Sequence, residues 1–579
     1  MVNEKTNFAG RFCAKSNAKM NHQDGKLSRR RLLAFLPLSS IAASVCAVAA
    51  RSTATQIGRE QKDPGARFYN IADFGAIGDG ATVNTVAIQK AIDTCANENG
   101  GTVLVPAGEF VTGTIELKSN ITLKLAAKGR LLGSPKIEHY KAGNNIPPSN
   151  GNVVMISAAN AENIRIEGPG TIDGNGAKFF TGRGDMTGPG QNSSAGYYQR
   201  PHLLVFYRCQ NLSMRDVFLT ASAYHCVRLL QCQHLVLEGV RIHNRVNLNN
   251  DGFHINSSQY VHISNCDVAC QDDACALFGS NKFVTVTNST FSTRWSVFRF
   301  GGGEAENITI SNCVIYDTYG CPIKARFGPR SRFENVSFSN LVMRNVTGPI
   351  SLGLDSTRRN ANADTQSAPR GVIRNIKFNG IRAVVVAEGK QHDDLPWPQK
   401  FRPGEARQCI VLNGVGEDFL ENISFQDVHV SYEGGGTAAE AHREVPKLAG
   451  EYFEIGTPPA YGMYARNVRG LVLNNVRFDV QTPDLRPALV FENVSDAAVS
   501  ALSAESDSRA ESLLRFTNVR ETLLSACRML TAGPAFLQLI GPDNASIKID
   551  GGEMSKAAKL VTFSGGATAK AVKLKTGER

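Results

Sequence analysis

An asparagine followed by alternating apolar residues recurs along most of this 579-residue chain, and no other feature constrains its fold as tightly. Clear copies are Asn120-Ile121-Thr122-Leu123, Asn163-Ile164-Arg165-Ile166 and Asn211-Leu212-Ser213-Met214. The unit continues at His234-Leu235, Tyr260-Val261, Phe283-Val284, Asn307-Ile308, Asn335-Val336, Asn375-Ile376, Asn422-Ile423 and Gly470-Leu471, with weaker copies near Ala497, Thr522 and Ala545. Steps of 23, 26, 23, 24 and 28 residues separate the copies from Asn211 to Asn335; the later steps of 40, 47 and 48 read as single coils carrying inserted loops. Short period-two strands repeating at this interval predict an all-β chain wound as a single-stranded parallel β-helix over residues 67–575. A leucine-rich solenoid needs a Leu-x-x-Leu-x-Leu core that is absent, and a propeller needs a longer blade with its own signature.

The repeat itself contains Asn-x-Ser/Thr triplets, as at Asn211, Asn307, Asn335 and Asn422. In a coiled stack these asparagines are expected to pile up in the turns and satisfy backbone groups, rather than to carry glycans. Ahead of the repeat, Asn84 is positioned as an N-cap for a short helix with Ala87, Ile88, Ala91, Ile92 and Cys95 on one face, stopped by Gly100-Gly101. That helix is expected to cap the exposed N-terminal end of the stack, where an uncovered strand would invite aggregation. Insertions at about 175–200, 355–369, 384–407 and 433–460 interrupt the repeat, and loops leaving one side of a solenoid commonly wall a binding face. Trp397, Arg358 and Arg359 lie in or beside them; solvated surface is the plainer expectation for each.

Residues 1–50 read as a leader, followed by a linker over 51–66. Arg29-Arg30-Arg31 precedes an apolar run from Leu32 to Ala50 that ends in Ala47-Val48-Ala49. A twin-arginine pair, a moderately apolar stretch and a small-residue cleavage site form a Tat-type export signal of bacterial style. Export to the periplasm or medium is therefore expected, with no membrane attachment after cleavage. The leader carries eight Lys/Arg and two Asp/Glu, so +6 of the formal +11 leaves with it. The remainder is too weakly basic to argue for a polyanionic partner, and no nucleic-acid motif is present. Eleven cysteines follow the leader, most inside apolar strand patterns; mainly buried thiols are expected, with one or two bridges. Cys266, Cys270 and Cys275 lack companions at zinc-site spacing, so no metal is expected.

The chemistry concentrates at Asn249-Asn250-Asp251-Gly252-Phe253-His254 and, one repeat later, Cys270-Gln271-Asp272-Asp273-Ala274-Cys275. Residues one coil apart lie above one another at about 4.8 Å, so Asp251 is expected beside Asp272 and Asp273. Breaking a glycosidic bond needs one carboxyl held protonated and another ionised to activate water. Crowding three carboxyls raises the proton affinity of at least one.

This region resembles glycoside hydrolase family 28, the pectin-degrading polygalacturonases, whose motifs read Asn-Thr-Asp, Asp-Asp, Gly-His-Gly and Arg-Ile-Lys. Asn249-Asn250-Asp251 matches the first except at its middle residue, and Asp272-Asp273 matches the second. The resemblance also takes in the helix region and Arg200-Pro201-His202. It implies a right-handed β-helix, Asp272 as general acid, Asp251 and Asp273 holding the attacking water, inversion at the anomeric carbon, and no metal or organic cofactor. Counting 21 residues from Asp273 puts Arg294 where the family histidine would fall, and Pro322-Ile323-Lys324 keeps only the lysine of the last motif. Asn249, His254, Arg294, Lys324 and Arg326 are then the expected substrate contacts, arginine and lysine being suited to a sugar carboxylate. The implied partner is an acidic plant cell-wall polysaccharide or oligosaccharide, met by a monomer. A lyase or epimerase using Lys324 or Arg326 on the same fold, or a non-catalytic sugar-binding solenoid, are the alternatives.

Overall fold

The computed structural model describes residues 67–147, 153–179, 200–357, 368–399 and 401–575. The expected leader, the linker, and Arg358 and Arg359 lie outside them. Among the described residues no helix is long and apolar enough to cross a membrane.

Each coil contributes strands to three parallel sheets. The first holds the repeat: Gln210–Arg215, Gln233–Glu238, Gln259–Ser264 and Lys282–Thr287 stack in order, with Leu212, Leu235, Val261, Val284 and Ile308 in one apolar column. The second contains Arg241–Asn244, Asp267–Cys270 and Thr290–Thr293. The third contains Val227–Leu230, Phe253–Asn256, Cys275–Phe278, Phe298–Gly301, Ile323–Phe327 and Ile350–Leu354. The result is the parallel β-helix that the repeat predicts, wound right-handed, the hand that parallel crossovers favour. The column continues through Val336, Ile376, Ile423 and Leu471, so the long steps are single coils with loops. The interior is apolar throughout, with Phe338, Phe378 and Phe425 stacked at 5.0 and 4.7 Å.

The repeat asparagine has a definite backbone reason. Asn120, Asn163, Asn211, Asn307, Asn335, Asn375 and Asn422 all take left-handed φ between 53 and 63°, which asparagine tolerates better than other non-glycine residues. Their side-chain amides bond coil to coil: Asn335 Nδ2 donates to Asn307 Oδ1 at 3.4 Å, and Asn375 Nδ2 to Asn335 Oδ1 at 3.1 Å. Where the ladder is interrupted, His234, Tyr260 and Phe283 occupy the same strained positions and stack as rings at 4.8 and 5.1 Å. Asn335→Ala should therefore cost about 2 kcal/mol from left-handed strain plus two lost amide bonds, and Asn335→Gly about half that. Urea melts of the two variants would check the order.

The helix Thr85–Asn97 forms as expected, burying Ile88, Ala91, Ile92 and Cys95 against the first coils. Asn84 occupies the N-cap position, its carbonyl accepting from Ile88 N, but its side chain makes no cap bond. Its side chain instead accepts from Ile77 N and donates to Ile77 O and Thr82 O, pinning the preceding turn. The expected disulfides are corrected too: all eleven cysteines from Cys95 to Cys527 are free and buried in the apolar core. Trp397 is no solvated surface residue; it packs with Leu248 and Leu395 at 7% exposure.

Candidate active site

All three acids lie on the turn between the second and third sheets. The pairing of Phe253 with Cys275, and the bond from Gly252 N to Asp273 O, set Asp251 directly over Asp273. Gly252 permits this close approach, since a Cβ there would meet Ala274 O at 2.4 Å. The acids are therefore brought together as the repeat implies, with Asp251 buried and Asp272 and Asp273 partly exposed.

The loop carrying Asp251 is held by its neighbour. Asn250, fully buried, accepts from Val246 N and Asn247 N at 3.0 and 2.7 Å and donates to Ser222 O and Tyr224 O, both at 2.9 Å. A threonine, as in the family motif, has one hydroxyl and could not make these four bonds. Asn249 Nδ2 reaches Asp272 Oδ2 at 3.4 Å, and Arg200 bonds Asn249 Oδ1 at 3.1 Å.

Burial first, then Asp251 and Asp273, push the Asp272 carboxyl well above the usual carboxylate range; the Asp273 N–H and Lys324 oppose the shift. Asp251 is pushed up by burial and Asp273, against Arg228. Asp272 Oδ1 accepts from Asp273 N at 2.9 Å, and Asp273 Oδ1 accepts from Ser296 N at 3.1 Å. His254 is brought to the site, with Nδ1 at 2.7 Å from Asp251 Oδ2. Burial and Arg228 lower its pKa to about 3, so one proton lies between a neutral imidazole and the carboxyl. His225, missed in the sequence, stacks on His254 at 4.4 Å with its Nε2 3.8 Å from Asp251 Oδ1. His225, Asp251 and His254 offer donor atoms within 4.8 Å of one another, a spacing a metal could use. The 2.7 Å contact already commits Asp251 and His254 to each other, so the trio reads more simply as a proton-sharing group.

Counting residues misplaced Arg294. Cys270 pairs with Thr293 and Ala274 N bonds to Ser296 O, so this coil is longer than the 21-residue count assumed, and Ser296 stands over Asp273. Its buried hydroxyl has no hydrogen-bond partner. Arg294, 4% exposed, is bonded instead to Glu405 Oε2 at 2.9 Å and sandwiched near Trp295 and Phe401. Arg326 is likewise tied up, donating to Gly450 O, Ala325 O, Ser351 O and Ser351 Oγ. Lys324 does sit near the acids, in a column of the third sheet with Arg228, His254, Ala276 and Arg299. Its Nζ lies 5.5 Å from the Trp295 ring and 2.7 Å from Glu451 Oε2.

The sequence model of glycosyl hydrolases family 28 matches residues 95–393, a stretch that includes every coil carrying these acids. The chain belongs to that family. Among curated relatives, this family 28 chain is 34% identical over 251 residues to the exo-poly-alpha-D-galacturonosidase of Dickeya chrysanthemi, covering 36% of this chain and 41% of the relative. It is 26% identical over 300 residues to polygalacturonase-2 of Solanum lycopersicum, covering 49% of this chain and 62% of the relative. It thus spans less than two thirds of the length of either. Its fold is similar to that of the family 28 exopolygalacturonase of Yersinia enterocolitica, with a TM-score of 0.55 and 22% identity over 75% of this chain and 78% of that one.

Proposed function

We propose that this family 28 chain is an exported, inverting glycoside hydrolase of galacturonan-containing, pectin-type chains. The observation that carries the reading is the stacking of Asp251 over Asp273 beside Asp272, whose proton affinity burial and the two neighbouring acids raise above the ordinary carboxyl range. Asp272 donates its proton to the leaving glycosidic oxygen. Asp251 and Asp273, one coil apart, hold and deprotonate the water that attacks the opposite face of the sugar. The water's proton passes to one of these two carboxylates. The relatives' names support the galacturonide substrate, and the twin-arginine leader supports export. Engagement of Lys324 by Glu451 and of Arg326 by backbone and Ser351 disfavours either cation as a lyase base.

The test is to incubate the mature chain with polygalacturonate, rhamnogalacturonan and short galacturonides, following reducing ends and product anomer by NMR. Initial β-anomer from an α-linked substrate is expected. Retained configuration would reject the assigned roles, and an unsaturated, ultraviolet-absorbing product would identify a lyase.

A further inference from the structure

The loop between the strands Leu420–Gly434 and Met463–Thr482 folds back along the third sheet and delivers a carboxylate onto the cations beside the acids. Glu451 Oε2 is 2.7 Å from Lys324 Nζ, and Oε1 is 3.2 Å from Arg299 Nη2. Burial alone would push this carboxyl up, yet Lys324, Arg299 and Arg326 together hold it well below the usual carboxylate range. Glu451 is thus ionised, with its two oxygens on Lys324 and Arg299.

The strap bearing it is anchored at many points. Tyr452 donates its hydroxyl to Gly348 O at 2.9 Å, and Arg326 Nε donates to Gly450 O at 2.7 Å. Asn413 Nδ2 bonds Leu448 O, and Arg466 bonds Val445 O and Pro446 O. Tyr452 is 2% exposed. Displacing Glu451 would break these bonds and unbury that ring, so the carboxylate is a fixed part of the site rather than a gate. A second carboxylate brought to Lys324 would lie within a few ångströms of the first and would compete for the Lys324 and Arg299 donors that Glu451 already occupies.

We propose that Glu451 sets specificity at the position facing Lys324 and Trp295, admitting a sugar without a free carboxylate, either esterified galacturonate or a neutral hexose. This rests on the reading that the groove beside Asp272 takes a pectin-type chain. The rest of that chain can remain acidic; the exclusion applies to the one sugar beside Glu451.

Binding separates this from turnover. Calorimetry with the full mature chain carrying Asp272→Asn would use trigalacturonate, its methyl ester and the corresponding galactotriose. The uncharged ligands are expected to bind at least tenfold more tightly than the acid. Ester binding alone identifies esterified galacturonan, and binding of both identifies any uncharged hexose. Adding Glu451→Gln should strengthen acid binding at least tenfold and move the uncharged ligands less than about twofold, whereas Glu451→Asp keeps the discrimination. Equal or tighter binding of the acid, parallel changes for all three ligands, or binding of none overturns the proposal. Turnover of polygalacturonate by the wild-type chain alongside such a result would leave the hydrolase reading standing.

Discussion

Asp272→Asn should lower kcat on the cleaved substrate by about 10²- to 10⁴-fold, the usual worth of a positioned general acid. The variant should melt no lower than wild type. Asp272 holds its proton because burial, Asp251 and Asp273 penalise the charged form. A carboxyl raised in the fold contributes stability that is present below its unfolded value and lost as pH rises through its folded value. At neutral pH the site therefore strains the fold, and an uncharged amide removes that strain. Circular-dichroism melts and single-turnover kinetics on one preparation would check both halves. A variant that keeps wild-type kcat would reject Asp272 as the acid. The pH profile carries the same sign. The basic limb of kcat/KM should lie above the ordinary carboxyl range and fall as Asp272 loses its proton. Lys324 lowers the Asp272 value, so Lys324→Gln should move that limb to still higher pH.

Asn250→Ala should cost about 4 kcal/mol of stability. Its four side-chain bonds satisfy Val246 N, Asn247 N, Ser222 O and Tyr224 O at a fully buried position, and alanine leaves all four backbone groups without that partner. The same change frees the turn that aims Asp251 over Asp273. Any chain that still folds should lose about 100-fold in kcat from misplacement of the water-holding acid. Urea unfolding would measure the first effect; a loss below about 1 kcal/mol would mean that water replaces the amide.

Much of the architecture was readable along the chain because it is locally encoded. A left-handed turn position recurs in every coil; asparagine fills it in most copies from Asn120 to Asn422, and stacked rings fill it at His234, Tyr260 and Phe283. Alternating apolar residues then fix which face turns inward, so the coil path, the apolar columns and the meeting of Asp251 with Asp273 follow from the repeat. Disulfides failed as an expectation because the thiols serve as small apolar side chains in the buried core.

Fine placement within the site was not readable, for two physical reasons. Coils differ in length by a residue or two, and counting a constant 21 put Arg294 at a level the pairing gives to Ser296. Side chains on the groove also find partners on loops far along the chain: Arg294 with Glu405, 111 residues away, and Lys324 with Glu451, 127 residues away. The sequence by itself determined the winding and the gathering of the acids, because both depend on contacts repeated every coil. Only the tertiary structure decided which cations still face the groove, because that depends on single contacts from loops that no repeat encodes.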